Sequence, residues 1–381
     1  MTITRILAAT LAAFLISACD SAVAPDGGES PTAVSVKDAP TSAPASSVTA
    51  HPIATPSGIG TITRLLGAAD AVIPQGAEIE RLSPDMFWWS EGPVWVADVR
   101  EPSGGTLYFT DVPQNTLYQF TDAGGVTEFL KPSGFDAAAS PNIDMSIFRE
   151  AGANGLINGG DDMLIMGDHG NRAVMALRLS DKTKTVLANN YQGRKFNSPN
   201  DVVLAQNGAL YFTDPPYGLK GMNTSPAKEI PFNGVYRRAP DGTISVIDKS
   251  LSFPNGIILS PDERTLYVAV SDPAAAKIYR YDLNASGQPT SRNVLFDFTD
   301  LVGDAAPGLP DGMAMSEDGH LFATGPGGVH VFAPDRTRIA LISTGTAAAN
   351  CTFGGAAGDQ LYITSGAFLA RVKLSVKGLG L

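Results

Sequence analysis

Six acidic or amide residues recur along this 381-residue chain in one local context, and their side-chain oxygens are suited to binding a cation. Each residue precedes a short apolar run, and a second run that begins with leucine follows. We call these the lead residues, and they are Glu91, Asn154, Asn200, Asn255, Asp311 and Asn350. Five of them stand 10 or 11 residues before their leucine by subtraction, and Glu91 stands 16 before. The repeated spacing predicts that the six side chains occupy equivalent places in the fold.

The predicted strands that would position the lead residues are clearest in residues 198–214. A polar start at Ser198 leads to the apolar run Val202–Leu204, an Asn207-Gly208 pair and a returning run at Leu210–Phe212. Asn-Gly between two such runs is a strong hairpin signal. The six returning leucines, at 107, 164, 210, 266, 321 and 361, lie between 40 and 57 residues apart by subtraction. Repeats of this length predict an all-β, six-bladed β-propeller.

The propeller fold explains why the lead residues would meet. The first strand of each blade lines the central channel, so six equivalent strand starts converge on one channel mouth. The next strand returns to the same face, which predicts that Asp111, His169 and residues 214–217 lie on the same rim. A lone strand at Glu78–Leu82 is expected to complete the sixth blade and close the ring. Residues Ile62–Ala71 could form a short helix.

Two long connections are expected to reach the mouth, one from Tyr217 to Asn233 and one from Asp297 to Leu309. Both adjoin strand ends on that face, which makes them candidate walls for a substrate pocket. The alternative is that they only decorate the surface.

The ligand types at the mouth indicate which cation would bind. Glu91 and Asp311 offer carboxylates, and Asn200 and Asn255 offer amide oxygens, a set suited to a hard divalent cation such as Ca²⁺. Zn²⁺, Mg²⁺ or Mn²⁺ are alternatives, although a structural zinc site is disfavoured because His169 is the one nearby nitrogen ligand. Any single Asn-Gly or Asp-Gly could instead be a turn, so the argument depends on the equivalence of all six positions.

The composition narrows the class of partner. The formal net charge is −11 and no cluster of Lys or Arg occurs, so a nucleic acid partner is not expected. The two cysteines, Cys19 and Cys351, do not make a disulfide framework.

The N-terminal residues predict export. Residues 1–18 combine Arg5 with the apolar run Ile6–Ile16, as in a lipoprotein signal peptide, and residues 16–19 resemble the bacterial lipobox whose cysteine, here Cys19, is lipidated. An ordinary cleaved signal is the alternative. Residues 19–60, rich in Ala, Pro, Ser and Thr, are expected to be a disordered tether, with the propeller at 61–381. The protein would then face the periplasm, attached to a membrane through lipid alone.

Several motifs in order, from about Glu78 to the C terminus, resemble the gluconolactonase branch of the gluconolactonase/regucalcin-like family. They are Glu91-Gly92-Pro93-Val94-Trp95, Ser198-Pro199-Asn200-Asp201, Phe212-Thr213-Asp214-Pro215-Pro216-Tyr217-Gly218, Pro254-Asn255-Gly256, Pro310-Asp311-Gly312-Met313 and Asn350-Cys351-Thr352-Phe353-Gly354-Gly355. The resemblance implies a six-bladed propeller with one divalent cation at the channel mouth. It also implies metal ligands at Glu91, Asn200, Asn255 and Asp311, with Asp311 the catalytic residue.

A hydrolytic mechanism follows from that resemblance. The cation would polarise a lactone carbonyl while Asp311 acts as general base toward the attacking water. Asn154, Asn200, His169 and Tyr217 are the expected contacts for a hydroxyl-rich lactone. For Asn154 and Asn350, a ligand, a substrate contact and a turn residue remain open, as does a hydrogen-bonded rim position for His169. We expect a monomeric metal-dependent lactonase, the alternatives being a propeller hydrolase for another lactone, ester or organophosphorus substrate, or a non-catalytic tethered propeller.

Overall fold

The computed structural model describes residues 58–141, 143–160 and 162–380, which form six antiparallel sheets of the propeller. The inner strands are Ser90–Ala97, Ala153–Gly160, Val202–Leu204, Pro254–Leu259, Met313–Met315 and Asn350–Gly354. The second strands are Gly105–Asp111, Met163–Asp168, Leu210–Asp214, Thr265–Val270, Leu321–Gly325 and Gln360–Ser365. The third strands are Thr116–Thr121, Ala173–Arg178, Gly234–Arg238, Lys277–Leu283, Gly328–Phe332 and Phe368–Lys373. The outer strands are Gly125–Leu130, Lys184–Ala188, Ile244–Asp248, Pro289–Asp297, Arg338–Ser343 and Ile79–Arg81. The all-β, six-bladed prediction is confirmed.

The ring closes as expected, because the outer strand of blade 6 comes from the N-terminal side of the chain. Ile79–Arg81 pairs antiparallel with the third strand of that blade, with Ile79 opposite Val372 and Arg81 opposite Ala370. Ile79 is 2% exposed, so the closing strand also contributes to the core. The edge that an incomplete sixth blade would leave is therefore paired.

The N-terminal segment pairs with two blades. Gly58–Ile59 pairs with the closing strand, and Thr61–Arg64 adds a fifth strand to blade 5. The expected short helix over Ile62–Ala71 is wrong in its first half, because Thr61–Arg64 finds backbone partners in Arg338–Ser343; a 3-10 helix covers Gly67–Ala71. The strand Gly58–Ile59 begins three residues before position 61, the predicted start of the propeller.

The remaining elements are few. Short 3-10 helices cover Met145–Ile147, Met222–Thr224 and Thr299–Leu301, and a small ribbon joins Asn190–Tyr191 to Arg194–Lys195. Among the described residues, none of the helices has the length and apolar character to cross a membrane.

The core is divided into apolar layers that lie between consecutive blades. Blades 1 and 2 share one layer, for example, and blades 4 and 5 share another. Between blades 6 and 1, Tyr362 stacks on Trp95 with ring centroids 5.5 Å apart, and Leu369 and Phe109 belong to the same cluster. The burial of these apolar side chains thus joins the last blade to the first and stabilises the closed ring of blades.

Candidate active site at the channel mouth

A cavity of about 810 Å³ opens where the inner strands begin. Five of the six lead residues line it, one from each of blades 1 to 5: Glu91, Asn154, Asn200, Asn255 and Asp311. Tyr217 lines it as well. The predicted metal ligands therefore meet in one place.

Glycine next to a lead residue brings neighbouring blades together. A Cβ at Gly256 would overlap the carbonyl oxygen of Asp311 in the next blade. A Cβ at Gly312 would overlap the side chain of Asn350 in the blade after that. The Asn-Gly and Asp-Gly pairs at these two positions therefore serve close approach between blades, because the missing side chain leaves room for the neighbouring backbone.

Threonines on the second strands of blades 1 and 3 connect each of these blades to the next. Thr110 donates a hydrogen bond to the carbonyl oxygen of Asn154 at 3.0 Å, and Thr213 donates to that of Asn255 at 2.6 Å. Both bonds are buried and end on the backbone of a lead residue. These bonds fix the inner strand of the next blade relative to the blade that carries the threonine.

Aspartates that follow these threonines hold the segments leading into the lead residues. Asp111 accepts the backbone N–H of Trp88 at 2.8 Å, and Asp214 accepts those of Asn197 and Ser198 at 2.9 and 2.8 Å. Asp111 and Asp214 are fully buried. They were expected on the rim, and the structure shows them fixing the backbone beneath it.

The carboxylates of Glu91 and Asp311 line the same cavity and carry the same sign of charge. Glu91 is 3% exposed, and burial raises its pKa to about 7, although hydrogen bonds from Trp89 and Gly92 lower it. Asp311 is partly buried, and desolvation raises its pKa well above its usual value, with the charges of Glu91 and Asp201 raising it further. These neighbouring negative charges disfavour ionisation of Asp311.

Asp201 is a third carboxyl group, a buried one, which the sequence analysis did not single out. It accepts hydrogen bonds from the backbone N–H groups of Val202 and Ile257, each at 3.0 Å, and so links blade 3 to blade 4 just below Asn200 and Asn255. Burial raises its pKa to about 6.

The two amide residues direct their nitrogens away from the carboxylates. Asn255 donates from Nδ2 to Ser271 Oγ at 2.9 Å, and Asn200 Nδ2 lies 3.3 Å from His169 Nε2. When an amide nitrogen is held on one side, its oxygen faces the other. Both amide oxygens are thus available to the cavity.

These observations fit a hard divalent cation. Two carboxylates and two amide oxygens are an all-oxygen set with two negative charges, which a cation would neutralise. Within the described ranges, no group of three or more His, Cys, Asp or Glu side chains is arranged to hold a metal ion. The candidate set here combines carboxylates with amides.

The sixth lead residue does not line the mouth cavity. Asn350 instead lines a separate cavity of about 340 Å³ deeper in the channel. Its Oδ1 accepts the N–H of Cys351 at 2.8 Å, and its side chain packs over Gly312. The expected ring of six equivalent side chains is therefore a ring of five at the mouth, with Asn350 turned inward beneath Glu91.

His169 corrects a second expectation. The imidazole is fully buried and does not line the cavity, because Asn200 and Glu150 lie against it. Burial lowers its pKa to about 3, so the ring is neutral. In this structure His169 stands behind Asn200, and its assignment as a direct substrate contact does not hold.

Two residues that sequence reasoning missed line the cavity next to the lead residues. Arg149 and Glu150 form an ion pair at 3.0 Å, and Arg149 N–H donates to the carbonyl oxygen of Gly218 at 2.9 Å. They belong to the connection from an outer strand to the next inner strand. Both ends of such a connection lie on the mouth face. The strand order alone could therefore have predicted that its residues reach the cavity.

Parts of both predicted wall connections do line the cavity. Tyr217 stacks on Phe253 with ring centroids 5.9 Å apart and lies near Asp311, whose charge adds to burial in raising the pKa of the phenol. The connection between the outer strand of blade 4 and the inner strand of blade 5 adds apolar lining at Val302, Ala306 and Leu309, together with Asp304. The cavity lining therefore combines hydrogen-bonding groups with apolar surface.

Comparison with known proteins gives this geometry a context. Residues 89–367 match the family described as SMP-30/Gluconolactonase/LRE-like region. A gluconolactonase from Zymomonas mobilis is 42% identical over 325 residues, which cover 84% of this chain and 88% of that protein.

Solved structures show the same fold. A gluconolactonase from Xanthomonas campestris superposes with a TM-score of 0.68 at 28% identity, covering 85% of this chain and 99% of that chain. Regucalcin from Agrobacterium tumefaciens, described as a calcium-binding protein, shares the fold with a TM-score of 0.58 at 20% identity, covering 77% and 92%. This six-bladed chain is a member of the SMP-30/gluconolactonase/LRE-like family.

Proposed function

We propose that this protein is a lactonase that hydrolyses sugar lactones of the glucono-lactone kind. The observation that carries the proposal is the pair of carboxylates, Glu91 and Asp311, which line an open cavity together with two amide side chains. The Zymomonas relative, named a gluconolactonase, supports the lactone as substrate class.

Glu91, Asn200, Asn255 and Asp311 are the residues that would hold the cation, and we propose Ca²⁺ because every donor is oxygen. When bound, a divalent cation supplies Lewis-acid polarisation of the lactone carbonyl. Glu91 is almost fully buried, so water screens its charge little, which favours binding of the ion.

Asp311 is the group placed to move a proton. Its carboxylate lies at the cavity floor, and among the described residues no side-chain donor occupies it. We propose that it accepts a proton from the attacking water. The water oxygen bonds to the carbonyl carbon, the ring C–O bond breaks, and the ring oxygen takes up a proton, which leaves the open hydroxy acid.

The lining of the cavity would orient the substrate. Asn154, Tyr217 and the Arg149–Glu150 pair offer donors and acceptors to the lactone hydroxyls. The apolar surface at Val302 and Leu309 accommodates the C–H faces of the ring. This combination favours a small polyhydroxylated lactone.

A panel of lactones assayed by pH-stat, with and without chelator, tests the function. We expect hydrolysis of glucono-lactone to be lost in chelator and restored by Ca²⁺, since the proposed site needs the cation to polarise the carbonyl. The same titration with Mg²⁺, Mn²⁺ and Zn²⁺ ranks the alternatives. Full activity in chelator would contradict the cation-dependent mechanism.

The panel also separates the other candidate activities. Simple esters and an organophosphorus fluoride belong in it, because a polarising cation and a general base could serve those substrates as well. Hydrolysis of one of these in place of sugar lactones would move the assignment to another propeller hydrolase. Lactone binding without turnover of any substrate would indicate a non-catalytic propeller.

We also propose that the enzyme is an exported lipoprotein on the periplasmic face of a membrane, acting there as a monomer. Cys19 and the signal residues lie outside the described residues, so this proposal depends on the sequence motif. Palmitate labelling in a bacterial host is expected for the wild type and is expected to be lost in Cys19→Ser. Equal labelling of both proteins would exclude lipidation at Cys19.

A further inference from the structure

The buried imidazole of His169 lies between a carboxylate and one of the proposed cation ligands. Its Nδ1 lies 3.7 Å from Glu150 Oε2, and its Nε2 lies 3.3 Å from Asn200 Nδ2. The side chain is completely buried, and within the described residues Nδ1 has no hydrogen-bond partner. His169 is therefore a polar group inside the wall, and it lies against two residues that line the cavity, Asn200 and Glu150.

The packing around His169 holds the ring in place. A Cβ at Gly218 would lie 2.7 Å from the Cβ of His169, so the chain at Gly218 sits directly against the histidine. The backbone N–H of His169 donates to the carbonyl oxygen of Gly152 at 3.2 Å. The imidazole is thus fixed by two mouth-face connections and has little freedom to rotate.

The neighbours of the ring decide which nitrogen carries the proton. Glu150 Oε2 faces Nδ1, and a carboxylate favours a proton on the nitrogen that faces it. In the neutral ring Nε2 then keeps its lone pair and accepts a hydrogen bond from Asn200 Nδ2. The amide oxygen of Asn200 must point the other way, into the cavity.

We propose that His169 is a positioning residue that fixes the orientation of the Asn200 amide, so that its oxygen faces the cation. This inference rests on the proposed function, in which Asn200 is a ligand. Without the acceptor at Nε2 the amide can flip and present N–H donors to the cation. Partners of metal ligands change metal affinity by roughly 10- to 100-fold when they are removed.

Two amide substitutions, matched in chemistry, test the inference. His169→Gln places an amide oxygen near the position of Nε2 and is expected to keep the contact with Asn200. His169→Asn is one methylene shorter and is expected not to reach it. Isothermal titration with Ca²⁺ should give near wild-type affinity for His169→Gln and an affinity at least about tenfold weaker for His169→Asn.

A control and a double-variant cycle separate positioning from general loss of structure. His330 is also buried, at 1% exposed, but contacts the carbonyl oxygen of Pro326 and does not line the cavity, so His330→Asn should leave Ca²⁺ affinity unchanged. In an Asn200→Ala background, His169→Asn should cause no further loss, because the residue through which it acts is gone. Full additivity of the two losses, or equal affinities for the Gln and Asn variants, would overturn the inference.

A spectroscopic measurement on the wild-type protein tests the proposed role of His169 even if a variant fails to fold. Nitrogen chemical shifts of ¹⁵N-labelled histidine in the wild-type protein should show His169 protonated at Nδ1 and unprotonated at Nε2. A proton on Nε2 would overturn the inference, because that nitrogen could not accept from Asn200. Absence of Ca²⁺ binding by the wild type would instead refute the proposed cation site, and the inference would fall with it.

Discussion

Replacement of Asp311 with asparagine is expected to lower kcat for lactone hydrolysis by at least about a hundredfold, the lower end of a general-base contribution. The substitution keeps the shape and one oxygen of the side chain but removes the basic carboxylate. Affinity for Ca²⁺ should weaken as well, because one of the two proposed charged ligands is lost. A pH-stat assay of glucono-lactone at saturating Ca²⁺ and calorimetric titration measure the two effects separately.

The stability of the Asp311 variant makes the result interpretable. In chelator its melting temperature is expected not to fall, since the substitution removes a carboxylate whose pKa is raised by the charges of Glu91 and Asp201. Asp300→Asn is the matched control, because Asp300 is exposed on the neighbouring connection and does not line the cavity. Wild-type kcat in Asp311→Asn would rule out Asp311 as the base.

Truncation through Leu82 is expected to prevent folding, whereas a protein that begins at Gly58 should melt at the wild-type temperature. The longer truncation removes Ile79–Arg81, the outer strand of blade 6, together with the buried side chains of Ile79 and Leu82. It would leave the third strand of that blade as an unpaired edge and expose the apolar layer beside it. Thermal unfolding followed by circular dichroism measures both proteins.

Two other outcomes of the truncation through Leu82 would differ from the expected failure to fold. A monomeric, cooperatively melting product that begins at Ser83 would show that blade 6 is stable with three strands. A product that folds only as a dimer would mean that the open edge has found a strand in another chain. The first result would contradict the role assigned to the closing strand, whereas the second would show that the edge of blade 6 requires a partner strand.

Much of the architecture is predictable from sequence because a propeller repeats a local pattern. Each blade carries an apolar run and a returning run, and Leu210, at the start of the second strand of blade 3, shows the pattern most clearly. The same periodicity placed Glu91, Asn200, Asn255 and Asp311 at one mouth, since equivalent strand starts must converge. Even the closing strand follows from counting, because the C-terminal residues are too few for a full sixth blade.

The tertiary structure alone decided where several side chains point. Asn350 begins its strand like the other lead residues, yet packing against Gly312 of the neighbouring blade turns it into the channel. His169 was expected at the substrate, and residues far away in sequence, at Glu150 and Gly218, bury it behind Asn200. Local repeats specify which residue begins a strand, but the direction of its side chain depends on contacts from other blades and connections, which the repeat does not encode.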